Sequence, residues 1–157
     1  MMTRDEKYMT RALELAKLAA NNGDVPVGAV IVRDDVIISE AYNLRENGGG
    51  ATAHAELLAI EQASLKLGSW RLSGCELYVT LEPCPMCAGA IINGRVDRVV
   101  FGAKDPRMGA FGSVIDLNSY PLGHKAQITA SVKEKECSEL LSLFFEKRRR
   151  NTGEKNV

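Results

Sequence analysis

The sequence predicts a three-layer α/β fold, with a mixed central sheet of about five strands and helices on both faces. Three observations carry that expectation. Two runs, the valine-rich Val25 to Val32 and then Val36 to Tyr42, are separated only by Arg33-Asp34-Asp35, and read as a hairpin whose first strand is central. Farther on, Cys75 to Leu81, Pro85 to about Ile92, and Asp97 to Gly102 read as strand, helix, strand. Over so short a span this is a right-handed crossover between parallel strands. Segments of helical period open and close the chain.

Thr3 followed by Glu6 is a capping box, and Tyr8, Met9, Ala12, Leu13, Ala16 and Ala20 recur behind it at helical spacing until Asn22-Gly23. Pro26 belongs near the start of the first strand, where its missing N–H is harmless. Asn43 to Gly50 is a polar rim loop ending in three glycines. A helix then begins near Thr52 or Ala53 and runs to about Leu67, supported by Leu57, Leu58, Ile60 and Leu65 and closed by Gly68. Gly109, Gly112 and Pro121 punctuate an irregular segment, and a weak strand near Gln127-Ile128-Thr129 precedes a last helix, Lys133 to Arg150. The stripe of that helix is Cys137, Leu140, Leu141 and Phe144. With no repeat and no internal boundary, the 157 residues form one domain, whose tail from 151 to 157 is expected to fray.

Composition is that of an ordinary soluble domain, 45% hydrophobic and 25% charged. Lys+Arg and Asp+Glu both number 20, so a nucleic-acid partner would have to meet a local patch of positive potential. The polar start, Thr3-Arg4-Asp5-Glu6-Lys7, has no apolar signal core, and no run approaches the length of a membrane span. Four cysteines without a signal peptide point to a reducing compartment, and the expected location is the cytoplasm.

Chemistry concentrates in two runs, Thr52-Ala53-His54-Ala55-Glu56 and Glu82-Pro83-Cys84-Pro85-Met86-Cys87. Cys84 and Cys87, three apart at a helix start fixed by Pro83 and Pro85, lie on one side and can grip one ion. The helix dipole and free N–H groups favour their thiolates. His54 and Glu56 are two apart, so they converge only if their helix points its N-terminus at the ion. Two helix starts should therefore meet at a zinc held by His54, Cys84 and Cys87. Glu56 should stand beside the open fourth position as the base that activates water. A lone C-x-x-C is otherwise a redox pair or a structural zinc site, the latter needing a fourth ligand such as Cys75, Cys137 or His124. Neither alternative has a use for Glu56, and Cys75 and Cys137 read as core residues.

His54-Ala55-Glu56 followed by Pro83-Cys84-Pro85-Met86-Cys87 resembles the signature of the zinc nucleobase deaminases. Asp24-Val25-Pro26-Val27-Gly28-Ala29, Gly68-Ser69-Trp70-Arg71-Leu72, Leu77 to Cys84, Met86-Cys87-Ala88-Gly89, Val99 to Ala103 and Phe144-Phe145 bring the resemblance closer, to the bacterial tRNA-specific adenosine deaminases. It implies a cytidine-deaminase-like fold, one Zn2+ per subunit, and a homodimer whose active sites are completed near the interface. It also implies conversion of wobble adenosine to inosine in the anticodon stem-loop of an arginine tRNA. By the same resemblance Asn43 hydrogen-bonds the flipped base, Ala55 lies with it among the substrate contacts, and Asp105 and its neighbours line the nucleotide groove. The Phe144 helix helps hold the anticodon loop. Lys104, Arg107 and Arg148 add local positive charge, Arg148 within the run Lys147 to Arg150. Phe144 and Phe145 cannot both face the core, and one of them should be exposed. Gly48-Gly49-Gly50-Ala51 stands where the family often carries an Asp-Pro pair, a departure confined to the rim. The alternative within enzymes is a deaminase of a free base or nucleoside, of guanine or cytosine type, with the same zinc site.

Overall fold

The structure, a computed structural model, describes residues 1–155. Thr3 opens α1 (Arg4–Asn21). Its Oγ1 accepts the Glu6 N–H while Glu6 Oε1 accepts the Thr3 N–H, both at 3.1 Å, so two orphan donors are satisfied. The helix buries Tyr8, Met9, Ala12, Leu13, Leu15, Ala16 and Ala19, leaving Ala20 at the margin.

β1 (Gly28–Arg33) and β2 (Val36–Tyr42) form the antiparallel hairpin. Asp34 and Asp35, at φ +50° and +60°, make a two-residue turn whose twist matches the strands. β1 also pairs antiparallel with β3 (Cys75–Leu81), which pairs parallel with β4 (Arg98–Ala103), and β4 parallel with the short β5 (Gln127–Thr129). The order β2-β1-β3-β4-β5 is the expected mixed five-stranded sheet, with β1 inside it.

Alternation along the strands builds two cores. Ala29, Ile31, Leu77, Val79, Val99 and Phe101 face α2 (Ala55–Leu67) and α3 (Pro85–Asn93). Val30, Val32, Tyr78 and Val100 face α1 and Cys137 of α4 (Glu134–Lys155). α4 runs past 151, where fraying is expected; residues 156 and 157 lie outside the described residues.

α2 differs from expectation in two ways. It begins at Ala55, with His54 as N-cap. Its buried stripe is Ala55, Ala59 and Ala63, with Leu57, Leu58 and Ile60 only half-buried and Leu65 84% exposed. Methyl groups at four-residue spacing let the helix backbone lie close to the sheet, and the larger residues are turned to its flanks.

A charged cluster pins the start of α1 to the sheet. Arg98 binds Asp5 at 2.6 Å and Glu76 at 2.8 Å, Arg4 binds Glu76 at 2.7 Å, and the Tyr78 hydroxyl donates to Asp5 at 2.7 Å. The Arg98 hydrogen bond holds the Asp5 carboxyl below its ordinary range. Burial would raise Glu76, but hydrogen bonds from Arg4 and Arg98 keep it low as well. Carboxyls depressed in the folded state stabilise it above their unfolded pKa, and that stability is lost as pH falls through the folded values. Thermal melts should therefore fall steeply below about pH 4. Arg98→Ala should cost about 1–2 kcal/mol at neutral pH and flatten that acid slope. An unchanged slope in the variant would contradict the assignment.

Candidate functional site

Two helix starts meet on the α2/α3 side of the sheet. Pro85 at the first position of α3 leaves Cys84 as N-cap, with extended φ −74° and ψ 172°; His54 caps α2 at φ −79° and ψ 147°. Neither side chain makes a capping hydrogen bond, although N-cap side chains commonly do, so both are available to an ion. His54 Nδ1 lies 3.7 Å from Cys84 Sγ and 3.5 Å from Cys87 Sγ, and all three donors fall within 4.8 Å of one another. Tetrahedral zinc bonded to sulfur at about 2.3 Å and to nitrogen at about 2.0 Å needs such donors about 3.6 Å apart, so the set fits.

Among the described residues this group has three donors. Cys75 is enclosed at the start of β3, Cys137 lies in the α1/α4 core, and His124 Nε2 is bonded to the Val96 carbonyl at 2.8 Å. A three-donor set that leaves a coordination position open is that of catalytic zinc rather than structural zinc.

Charge within the cluster is shared. A hydrogen bond from the Cys87 thiol, aided by His54, pulls the Cys84 thiol down to about 4. Giving that hydrogen bond to Cys84, together with burial, pushes Cys87 up. Glu56, 4% exposed on the first turn of α2, is raised to about 7 by burial. A carboxylate poised near neutrality beside three donors suits a group that takes up and gives back a proton.

Asn43 is 4% exposed, and its Oδ1 accepts the Ala55 N–H at 2.8 Å. That bond fixes the amide orientation and leaves Nδ2 as the group a ligand would meet. It also occupies the Ala55 N–H, and the Ala55 methyl is fully buried. The rim after Asn43 is a single wide turn, Arg45–Gly49. Gly48 and Gly50 take φ +93° and +78°, and a Cβ on Gly49 would overlap Ala53 Cβ and stand 2.6 Å from the Leu44 carbonyl oxygen. The glycine run is thus what permits the turn. Buried Asp24 anchors it by accepting the Val25 and Glu46 N–H groups at 3.1 and 2.9 Å.

Arg148 reaches the same rim, 3.3 Å from Glu46, with its guanidinium over the Phe144 ring. Arg150 pairs with Glu146, so two arginines of the basic run already have partners. Phe144 is half-buried and Phe145, edge-on to it, is 38% exposed, which decides between the two. Lys104 and Arg107 are exposed on the loop after β4, where Asp105 Oδ1 accepts the Arg107 and Met108 N–H groups. Asp24 and Glu82, buried carboxylates absent from the expected site residues, also belong to the surroundings of the site. For Glu82 the available signal was a carboxylate closing an apolar strand just before Pro83.

Residues 2–103 match the cytidine and deoxycytidylate deaminase zinc-binding region. Over 159 aligned residues, 99% of each chain, the sequence is 47% identical to a tRNA-specific adenosine deaminase of Bacillus subtilis. A solved structure described as a tRNA:A34 deaminase of A-to-I editing at the wobble position superposes with TM-score 0.84, at 40% identity over 86% of this chain and 99% of that one. A guanine deaminase of Bacillus subtilis superposes with TM-score 0.60, at 44% identity over 63% of this chain and 64% of that one.

Proposed function

The chain belongs to the zinc-dependent cytidine and deoxycytidylate deaminase family, within its tRNA-specific adenosine deaminases, and from that premise we propose that it converts the wobble adenosine of an arginine-type tRNA to inosine with release of ammonia. The observation that carries the proposal is Glu56, buried beside three metal donors that leave a fourth position open. Sequence identity favours the tRNA reading over the free-base one: 47% along 99% of the chain with a tRNA-specific adenosine deaminase, against 26% with a guanine deaminase of Nitrosomonas europaea that superposes over 88% of it.

His54, Cys84 and Cys87 would hold the zinc, which when bound supplies Lewis-acid activation of water. Glu56 removes one proton from the attacking water as its oxygen bonds to C6 of adenine, and delivers that proton to N1. The second water proton goes, again through Glu56, to the exocyclic amine. The C6–N6 bond then breaks, ammonia leaves, and the C6 carbonyl with its N1 proton is inosine. Asn43 Nδ2, aimed by the bond to Ala55, donates to an acceptor on the base. A base stacked in a loop cannot reach so deep a carboxylate, so it must be splayed out first. Met86, Met108, Val114 and Ile115 are exposed apolar side chains on α3 and the loop after β4, the surface we assign to a second copy of the chain. Reduced thiols at Cys84 and Cys87 suit the cytoplasm, where tRNA is also found.

Incubation with an anticodon stem-loop, free adenosine and free guanine, followed by inosine and ammonia assays, tests the reading. Turnover of the stem-loop is expected, and turnover of guanine alone would overturn it. Arg148, Arg149 and Arg150 replaced together by alanine should weaken stem-loop binding and flatten its salt dependence. Because two of the three are already paired, the log–log slope should fall by about one rather than two. An unchanged slope would remove this run from the RNA contact.

A further inference from the structure

The loop after β4 carries Lys104, Asp105 and Arg107, yet it has little regular structure between Lys104 and Asp116 to hold its shape. One buried side chain holds it instead. Glu82 is 2% exposed. Its Oε1 accepts the Asp105 N–H at 3.1 Å and the Ser113 hydroxyl at 2.5 Å, and its Oε2 accepts the Phe111 and Ser113 N–H groups at 3.1 Å each. Four donors use all the accepting capacity of a carboxylate. The backbone closes the same junction, with the Ala110 N–H donating to the Pro83 carbonyl at 2.9 Å. Gly109 leaves the space this needs: a Cβ there would overlap the Glu82 carboxylate and stand 2.5 Å from the Asp105 carbonyl oxygen.

A carboxylate without its hydrogen bonds would be costly at so buried a position, and an apolar side chain could fill the volume equally well. What the carboxylate adds is direction. Four bonds from Asp105, Phe111 and Ser113 fix the loop to the turn that bears Cys84, two residues on. We propose that Glu82 is a positioning residue for substrate: it sets where the 104–113 loop stands relative to the metal-bearing turn, and through that loop the affinity for the RNA. Glu82 itself does not touch substrate. The inference rests on the tRNA deaminase reading above.

Kinetics of the zinc-loaded protein on an anticodon stem-loop test it. In Glu82→Gln the amide NH2 is turned toward donors, so the loop must shift. KM should rise about tenfold while kcat stays within about threefold and zinc remains at one per chain. Ser113→Ala, which removes one donor and leaves the carboxylate, should raise KM about threefold. Gly109→Ala displaces the loop from the other side and should act in the same sense. Loss of zinc, or a fall in kcat at unchanged KM, would make Glu82 a prop of the metal turn and overturn the proposal. If Glu82→Gln does not fold, Ser113→Ala and Gly109→Ala decide, and parental KM in both overturns it. A parent that forms no inosine overturns the deaminase reading and this inference together. An active parent with indifferent variants overturns this inference alone.

Discussion

Glu56→Ala is expected to abolish inosine formation, with a fall of about a thousandfold or more, while the protein retains its zinc. The two halves of that result are separable because the carboxylate is not among the three converging donors: His54 Nδ1 stands 3.7 and 3.5 Å from the sulfurs of Cys84 and Cys87. Metal analysis of the purified variant and single-turnover assays on the stem-loop check both halves. Substantial activity in the variant would mean that another group moves the proton. Loss of zinc would mean that Glu56 is itself part of the metal site, as a non-catalytic centre with four protein ligands would require.

Stripping the metal is expected to have the second large effect. A chelator should remove activity and lower the melting temperature, and added Zn2+ should restore both. Binding that favours only the folded state contributes about 4 kcal/mol when free metal exceeds Kd a thousandfold. Cys87→Ala should reproduce the loss permanently, since it removes a fully buried thiol that is one of the three converging donors among the described residues. Cys75→Ala is the matched control. It removes an equally buried thiol from β3, far in role from the donor group, and should leave one zinc per chain. If Cys75→Ala also loses the metal, the site is structural and four-coordinate; if activity survives chelation, the C-x-x-C is a redox pair. Either outcome removes the basis for hydrolysis by metal-activated water.

Much of the fold was legible because its signals are local. The capping box at Thr3, the valine run of β1, the stop at Gly68 and the proline-bracketed start of α3 each depend on residues within about one helical turn. β3 and β5 fall on the residues expected. The boundaries of α2 and α4 moved by one to several residues, as helix ends do when tertiary contacts decide them. Leu65 departs from expectation because periodicity weighs side chains by size, whereas the packed face of α2 is the small one.

For the site, sequence alone determined the inventory: an imidazole, two thiols and a carboxylate, each at a helix start, because residue type and the spacing to the nearest proline or cap fix that chemistry locally. Tertiary structure decided the distances. His54 and Cys84 are 30 residues apart and meet only because α2 and α3 lie on the same face of one sheet. The Asn43–Ala55 bond, the Arg148–Glu46 pair and the four-bond grip of Glu82 span 12 to 102 residues, beyond the reach of any local pattern. Which partner a polar side chain finds across such separations is set by how the layers pack, and packing is a property of the whole chain.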